Sequence, residues 1–336
     1  MISETDLAII HALQLRPRAS WRELSGAVGV SAETVAQRWE LLREAALAWI
    51  VPAPGRRYLE GGSSAFMLLS TASSRQDAVL LELKGRAACG TISRVAGAHD
   101  VLVDCFAPSE EELAEQLVGV LGGTPGVNER CILMVVRLYR QAVDWREDAL
   151  SPGQSGTLAA RDEAPAAAST PDVLDARLVR ALAVDGRAGW AELADACGTS
   201  PQTAQRRVER LVRGGRLTFR CDTADPEVHR GQKEVTLVLE VPPEHLDQLG
   251  RHCAGLAECR VSAQVLGVGN LLVTFRVRDY LWVSAAEQQM VRLAPGTRVM
   301  SRHTVLRTEK RLGRLLDSRG RSEGVVPLPF WSSSEG

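Results

Sequence analysis

Ser31, Glu33, Thr34, Gln37 and Arg38 have the spacing of a polar helix face. A like set, Ser200, Gln202, Thr203, Gln205, Arg206, Arg207 and Arg210, follows at an offset of 169 residues. Hydroxyls, amides and guanidiniums at the start of a helix are the groups that hydrogen-bond base edges in a major groove, Gln to adenine and Arg to guanine. The same side chains would also serve as the solvated face of a small helical module, so one copy alone carries little weight. Two copies with matching caps and turns point to DNA readout.

The elements that must position these groups repeat as well. Residues 6–50 and 175–219 align without a gap and are identical at 15 of 45 positions. So long a repeat, with a large spacer, means a duplicated domain pair and not a solenoid. Ser20-Trp21-Arg22-Glu23 reads as a capping box that opens a helix, with Gly189 in place of the serine in the second copy. Gly29 and Gly198 mark a tight turn needing positive φ, and Ser31 and Ser200 then cap a third helix, with Pro201 at its first position. Val35, Trp39 and Leu42, like Ala204, Val208 and Leu211, give the packed face. The pattern is a helix-turn-helix at each end, with Trp21 and Trp190 as core residues.

The two heads differ in charge. Residues 200–220 hold Arg206, Arg207, Arg210, Arg213, Arg216 and Arg220 against Glu209, a net of +5, whereas 31–51 hold Arg38 and Arg43 against Glu33, Glu40 and Glu44, a net of −1. Phosphate neutralisation supplies much of DNA affinity, so the second head is expected to bind more strongly. The whole chain of 336 residues carries a net charge of −1, so any nucleic-acid face is local. No apolar run approaches the ~20 residues of a membrane span. The polar N-terminus argues against a secretion signal. Seven scattered cysteines without a Cys-x-x-Cys suit a reducing cytoplasm. His252, Cys253 and Cys259 lack metal-ligand spacing, and no phosphate loop or nucleophile elbow occurs. Neither a cofactor nor a metal is expected.

After each head the apolar period changes to two. Strands are expected at 65–71, 91–97, 100–107 and 128–139 with helices near 75–88 and 109–121. The second set has strands at 234–241, 258–265, 270–277 and 298–307 with helices near 243–254 and 280–292. Strand-helix-strand-strand-helix-strand is a ferredoxin-like sandwich, whose open sheet face needs a partner, and two in one chain can cover each other. The basic stretch Arg302–Arg321 reads as a solvated helix end or a DNA-backbone contact.

With those motifs in place the chain resembles the leucine-responsive/AsnC family of transcription factors, twice over. Gly97-Ala98-His99-Asp100-Val101 resembles the family's glycine turn between the second and third strands, and Gly267-Val268-Gly269-Asn270-Leu271 is its second copy. Thr124-Pro125-Gly126-Val127 and Asp225-Pro226-Glu227 resemble further family segments. The resemblance implies an α+β chain, an AsnC-type winged helix-turn-helix followed by a ferredoxin-like βαββαβ sandwich, the pair occurring twice as a covalent pseudo-dimer. Its units would be heads at 1–60 and 170–232, sandwiches at 61–144 and 233–318, a linker at 145–169 and a disordered tail at 319–336. It further implies double-stranded DNA as partner, a nucleoid-associated cytoplasmic location, self-association through the sandwiches, no membrane partner and no enzymatic activity. An effector such as an amino acid would sit at Gly97, His99, Asp100, Gly267, Gly269 and Asn270, with Asp100 taking an ammonium and Asn270 a carboxylate. Two alternatives stay open. Sirohaem decarboxylases resemble the same fused layout, although their tetrapyrrole signature is not found here, and a ligand-sensing partner with a degenerate first head would share the fold.

Overall fold

A computed structural model describes residues 2–158, 170–228 and 231–331. The first head comprises α1 (Glu4–Leu15), α2 (Trp21–Val28) and α3 (Ala32–Glu44), closed by β1 (Ala48–Pro54). The first sandwich follows as β2 (Ser63–Thr71), α4 (Gln76–Gly85), β3 (Cys89–Gly97), β4 (Val101–Ala107), α5 (Glu110–Gly123) and β5 (Val127–Arg140). After α6 (Pro152–Leu158) the second head is α7 (Val173–Val184), α8 (Trp190–Cys197), α9 (Pro201–Arg213), β6 (Leu217–Thr223) and the short α10 (Asp225–Val228). The second sandwich is β7 (Lys233–Glu240), α11 (Pro243–Gly255), β8 (Cys259–Leu266), β9 (Leu271–Val277), α12 (Tyr280–Leu293) and β10 (Arg298–Arg311), followed by β11 (Arg314–Leu316) and β12 (Ser322–Val325).

The two sandwiches solve the open-face problem together. Antiparallel pairing runs β3-β4-β2-β5-β8-β9-β7-β10, and β10 returns to β3, so eight strands close into a barrel with no edge left between the copies. Its registers repeat at an offset of 170: Ala65 faces Met134 and Cys105, and Val235 faces Thr304 and Phe275. The seams match too, Val135 with Val265 and Val305 with Val95. Phe66, Leu68, Val95, Leu133, Val238 and Val265 belong to the apolar core between the sheets. The outer faces are covered by helices over two further cores, one per sandwich.

The heads are joined in the same manner. β1 and β6 form a two-stranded antiparallel sheet, Ala48 facing Thr223 and Pro54 facing Leu217, and one continuous apolar core runs through both heads. Arg18 reaches across to the Gly186 and Ala188 carbonyls and lies 4.3 Å from the Trp190 ring centroid. Arg187 returns the grip on the Pro17 and Ala19 carbonyls, at 2.6 and 2.8 Å, and sits 3.9 Å from Trp21. The tryptophans thus stack on arginines across the pseudo-twofold axis.

Two expectations need correction, and the expected linker carries a helix: Ser151 and Gln154 form a reciprocal cap ahead of α6, and the Gln154 amide donates to the Ala27 carbonyl of the first head. Residues 159–169 of the tether lie outside the described residues. The segment 319–336 is not a disordered tail as far as Trp331, because β12 pairs with β11 and Leu328 and Phe330 are buried in the head core; Ser332–Gly336 lie outside the described residues. Arg302–Arg321 is not a helix end but β10, β11 and a turn held by Asp317. No helix among the described residues is long and apolar enough to cross a membrane.

Candidate nucleic-acid interface

The third helix of each head is set by its cap and its turn. Gly29 and Gly198 adopt φ of 82° and 64°, which lets the chain reverse between helices without a Cβ clash. Ser31 Oγ then accepts from the Thr34 amide at 3.1 Å, and Ser200 Oγ from the Thr203 amide at 3.2 Å, satisfying one orphan donor of each helix. The four hydroxyls also pair among themselves, at 2.8 and 2.9 Å. Ser31, Thr34, Ser200 and Thr203 therefore hold the helix starts in place. Val35, Trp39 and Leu42, and Ala204, Val208 and Leu211, are buried beneath.

Facing outward are Glu33 and Gln37 on α3 and Gln202, Gln205 and Arg206 on α9, all exposed. Gln205 donates to Glu209 at 2.8 Å. The remaining expected base readers turn the other way. Arg38 bonds Asp6 at 3.0 Å and the Ser3 hydroxyl at 3.1 Å, while Arg207 bonds Asp172 and Asp175 and Arg210 bonds Asp175. These ion pairs pin the recognition helix to the start of the head's first helix. Burial pushes the Asp6 carboxyl up, but the Ser3 and Arg38 donors outweigh it and hold the group below the usual carboxylate range. Asp172 is held low in the same way by Arg207. Asp6 and Asp175 recur at the same spacing from Arg38 and Arg207, and this co-repetition of opposite charges was the sequence signal for a structural pair.

The charge contrast between heads shrinks accordingly. Of the six arginines in 200–220, Arg207 and Arg210 are tied to Asp172 and Asp175, Arg216 to the Arg57 carbonyl and Arg220 to Asp222. Arg206 and Arg213 stand at exposed positions, and Arg213 too is engaged by a neighbour. The first head exposes Glu33, Gln37, Leu41 and Glu44, with Arg43 paired to Glu40. The difference survives with less than the formal +5 behind it.

At the glycine turns, Asp100 and Asn270 perform one task. Asp100 accepts from the Thr71 amide at 2.7 Å, and Asn270 accepts from the Val241 amide at 2.9 Å and donates to the Val241 carbonyl at 2.7 Å. Each side chain clips its turn to the end of the sandwich's first strand, Asn270 with both its oxygen and its amide and Asp100 through Oδ2. A Cβ on Gly97 would fall on the Arg302 carbonyl, and one on Gly267 or Gly269 on the Ile132 or Leu239 carbonyl, so these glycines permit close backbone approach. His99 lies with its ring 5.5 Å from that of His303. The turns sit apart from the heads' outward faces on the barrel seams.

The family model of the AsnC-type helix-turn-helix domain matches residues 2–43 and 172–212. Both ends of the chain are AsnC-type helix-turn-helix domains. No curated protein matches the sequence. Among solved structures, the chain is similar to the siroheme decarboxylase NirDL at 14% identity and a TM-score of 0.57, over 96% of this chain and 95% of that one. The same enzyme in co-complex with an iron-uroporphyrin III analogue matches at 14% identity and 0.57 over 92% and 93%. AsnC of E. coli covers 41% of this chain and 93% of its own, at 18% identity and a TM-score of 0.34. The expectation of a chain without enzymatic activity is overturned here. A protein that shares the fused double architecture end to end is an enzyme, so the layout gives no ground for excluding catalysis.

Proposed function

We propose that the protein is a DNA-binding transcriptional regulator whose two heads act as one pseudo-symmetric reading unit. The observation that carries this reading is the outward face of α9. A capped helix presents Gln202, Gln205 and Arg206 to solvent, on a head locked to its twin by β1–β6 and the reciprocal arginines. Two-headed helix-turn-helix proteins place their recognition helices about one DNA turn, roughly 34 Å, apart. Because α3 exposes Glu33 and Glu44 where α9 has Gln202 and Arg213, the second head supplies most of the affinity and the operator is asymmetric. A small-molecule effector at the glycine turns remains part of the proposal, with His99 and backbone groups as its contacts in place of Asp100 and Asn270. The shared head core means the heads are to be tested in the full chain, not as fragments.

The test is a genome-wide binding map followed by anisotropy titrations on the sites found. Arg206→Ala should weaken binding by about 1–3 kcal/mol at one base position if it reads guanine. A uniform loss over all sequences reassigns it to phosphate, and failure of the full chain to bind any duplex at low salt overturns the reading. A second reading, decarboxylation of a tetrapyrrole, draws on the end-to-end likeness to NirDL and on an arginine-lined cavity in the second sandwich. Titration with iron-uroporphyrin III separates the two: a saturable shift in the visible spectrum favours the enzyme, and an unchanged spectrum removes it.

A further inference from the structure

The offset of 170 makes each sandwich a control for the other, and one cavity has changed character between them. In the first copy the space between β2, β4 and β5 is about 80 Å³ and is walled mainly by Phe66, Phe106, Val135 and Leu138, with Asp104 and Arg220 its charged residues. The equivalent space in the second copy is about 500 Å³, with Lys233, Glu234, Arg276, Arg307, Thr308 and Arg311 on its wall. Position by position, Ser64 has become Glu234, Phe106 Arg276, Leu138 Thr308 and Gln141 Arg311.

These exchanges are coupled by packing. A Cβ at Gly90 would lie 2.7 Å from the Phe106 ring, so the first copy requires glycine there as long as phenylalanine fills the space. In the second copy both have changed together: Arg260 stands where Gly90 would be, and Arg276 where Phe106 would be. The guanidiniums of Arg260 and Arg276 lie 5.4 and 4.7 Å from the Trp145 ring centroid. Both arginines are more than nine-tenths buried. Both lie near one carboxylate oxygen of Glu234, at 3.6 and 3.3 Å. Where the first copy packs glycine against phenylalanine, the second holds two desolvated cations on Trp145 and Glu234, and Arg276 of the two borders an open volume.

The wall chemistry specifies the occupant. Among the described side chains four cations, Lys233, Arg276, Arg307 and Arg311, line the cavity with the carboxylate of Glu234, and Arg307 is also paired with Glu309. Guanidiniums offer paired donors matched to carboxylate and phosphate oxygens. The Gln232 side-chain oxygen, also on the wall, is buried and has no hydrogen-bond partner, so it is an acceptor awaiting a donor. A volume of about 500 Å³ lies in the range of small-molecule sites. We propose that this cavity binds a small hydroxylated organic anion with at least two carboxylate or phosphate groups, held by Arg276, Arg307 and Arg311, with its hydroxyl donating to Gln232. The charged groups named here all belong to the second sandwich, Thr223 at the end of β6 closing one side of the cavity, and none lies on the outward faces of α3 and α9.

Isothermal titration of the full chain with citrate, with fructose 1,6-bisphosphate and with leucine tests it. One-site saturable binding of citrate or of the bisphosphate, and none of leucine, is expected; which of the two binds assigns carboxylate or phosphate. Arg311→Gln, which copies the first sandwich, should weaken binding at least tenfold, and Arg307→Gln at the cavity mouth should weaken it less. The triple exchange Glu234→Ser, Arg260→Gly and Arg276→Phe restores the first copy's packing and should abolish binding while circular dichroism stays native. If that variant unfolds, the two single variants decide. The proposal is overturned if neither anion binds the unaltered chain saturably, or if binding is unchanged in both Arg311→Gln and Arg307→Gln.

Discussion

The two halves of this chain differ in what they have kept and what they have let go. Kept are the serine caps on the third helices, the turn glycines, the Asp6–Arg38 and Asp175–Arg207 pairs, the Asp100 and Asn270 clips and the registers of both barrel seams. Changed are the outward faces of α3 and α9 and the lining of the paired cavities. The retained groups bond backbone, or a partner that repeats with them, so a change on one side strands a buried polar group on the other. Groups that face solvent or a cavity meet no such veto. Buried apolar positions differ as well, Val35 against Ala204 and Trp39 against Val208, but there one apolar side chain stands in for another.

The largest effect is expected where the halves hold each other. Arg187→Ala leaves the Pro17 and Ala19 carbonyls without their donors and removes the cation from Trp21. The cost should be about 3–5 kcal/mol in urea unfolding of the full chain. Arg18→Ala should cost about the same, since it holds the Gly186 and Ala188 carbonyls and Trp190 in the mirrored arrangement. Burial foremost, and Arg18 next, push the Arg187 guanidinium down to about 10, so the two cations repel. The double variant should then cost less than the sum of the singles. Equal and additive losses would show the grips to be independent; a large gap between the singles would break the symmetry argument.

A smaller effect is expected at one seam, where the halves are not alike. His303 is fully buried and faces Gly97 across β10 and β3, with Nε2 2.9 Å from the Ser301 hydroxyl; the other seam has buried Leu133 at this position. Burial, and then the neighbouring His99, push the His303 imidazole down to about 4. An unfolded histidine titrates near 6.5, so between about 4 and 6.5 the unfolded chain binds the proton and the folded chain does not. Stability should fall as the pH drops through that window, by about 3 kcal/mol at most. His303→Leu, which copies the first half, should remove this slope. Urea melts of both proteins at several pH values check it, and parallel curves would show that the histidine titrates freely in the fold.

What was legible in the sequence follows from the range of the interactions that set it. The helices of both heads and the six elements of each sandwich were legible, because caps, turn glycines and apolar periods act within a few residues. β1 and β6 were not: Pro52 and Pro54 argue against a strand, and the pairing spans the whole first sandwich. The Ser151-Pro152-Gly153-Gln154 cap was present but lost in a stretch whose composition reads as linker. Among the candidate site residues, Gln37, Gln202, Gln205 and Arg206 lie outward as the helical period requires, whereas the direction of Arg38, Arg207 and Arg210 depends on acids more than thirty residues away. The charged cavity was hidden for a different reason. Only the register reveals that Arg276 stands in the place of Phe106.

The smallest effect sharpens the comparison most, because the two sites have the same backbone. Ser20 and Gly189 precede the second helix of each head with φ and ψ of −65° and 153°, and −66° and 153°. Ser20 Oγ accepts from the Glu23 amide, and the Glu23 carboxylate accepts from the Ser20 amide at 2.8 Å. Glu192 already stands at the matching position in the second head, and a Cβ on Gly189 would meet no atom within 4 Å. Gly189→Ser should complete the missing box and stabilise by a few tenths of a kcal/mol, with Ser20→Gly losing as much. In a chain of this size that is about 1 °C in Tm, which replicate calorimetry resolves. The Ala188 carbonyl beside it is held by Arg18 at 2.9 Å, whereas the equivalent Ala19 carbonyl is held by Arg187 at 2.8 Å. With neighbours so closely matched, a loss on Gly189→Ser would mean that the glycine serves the outward surface of the second head and not its fold.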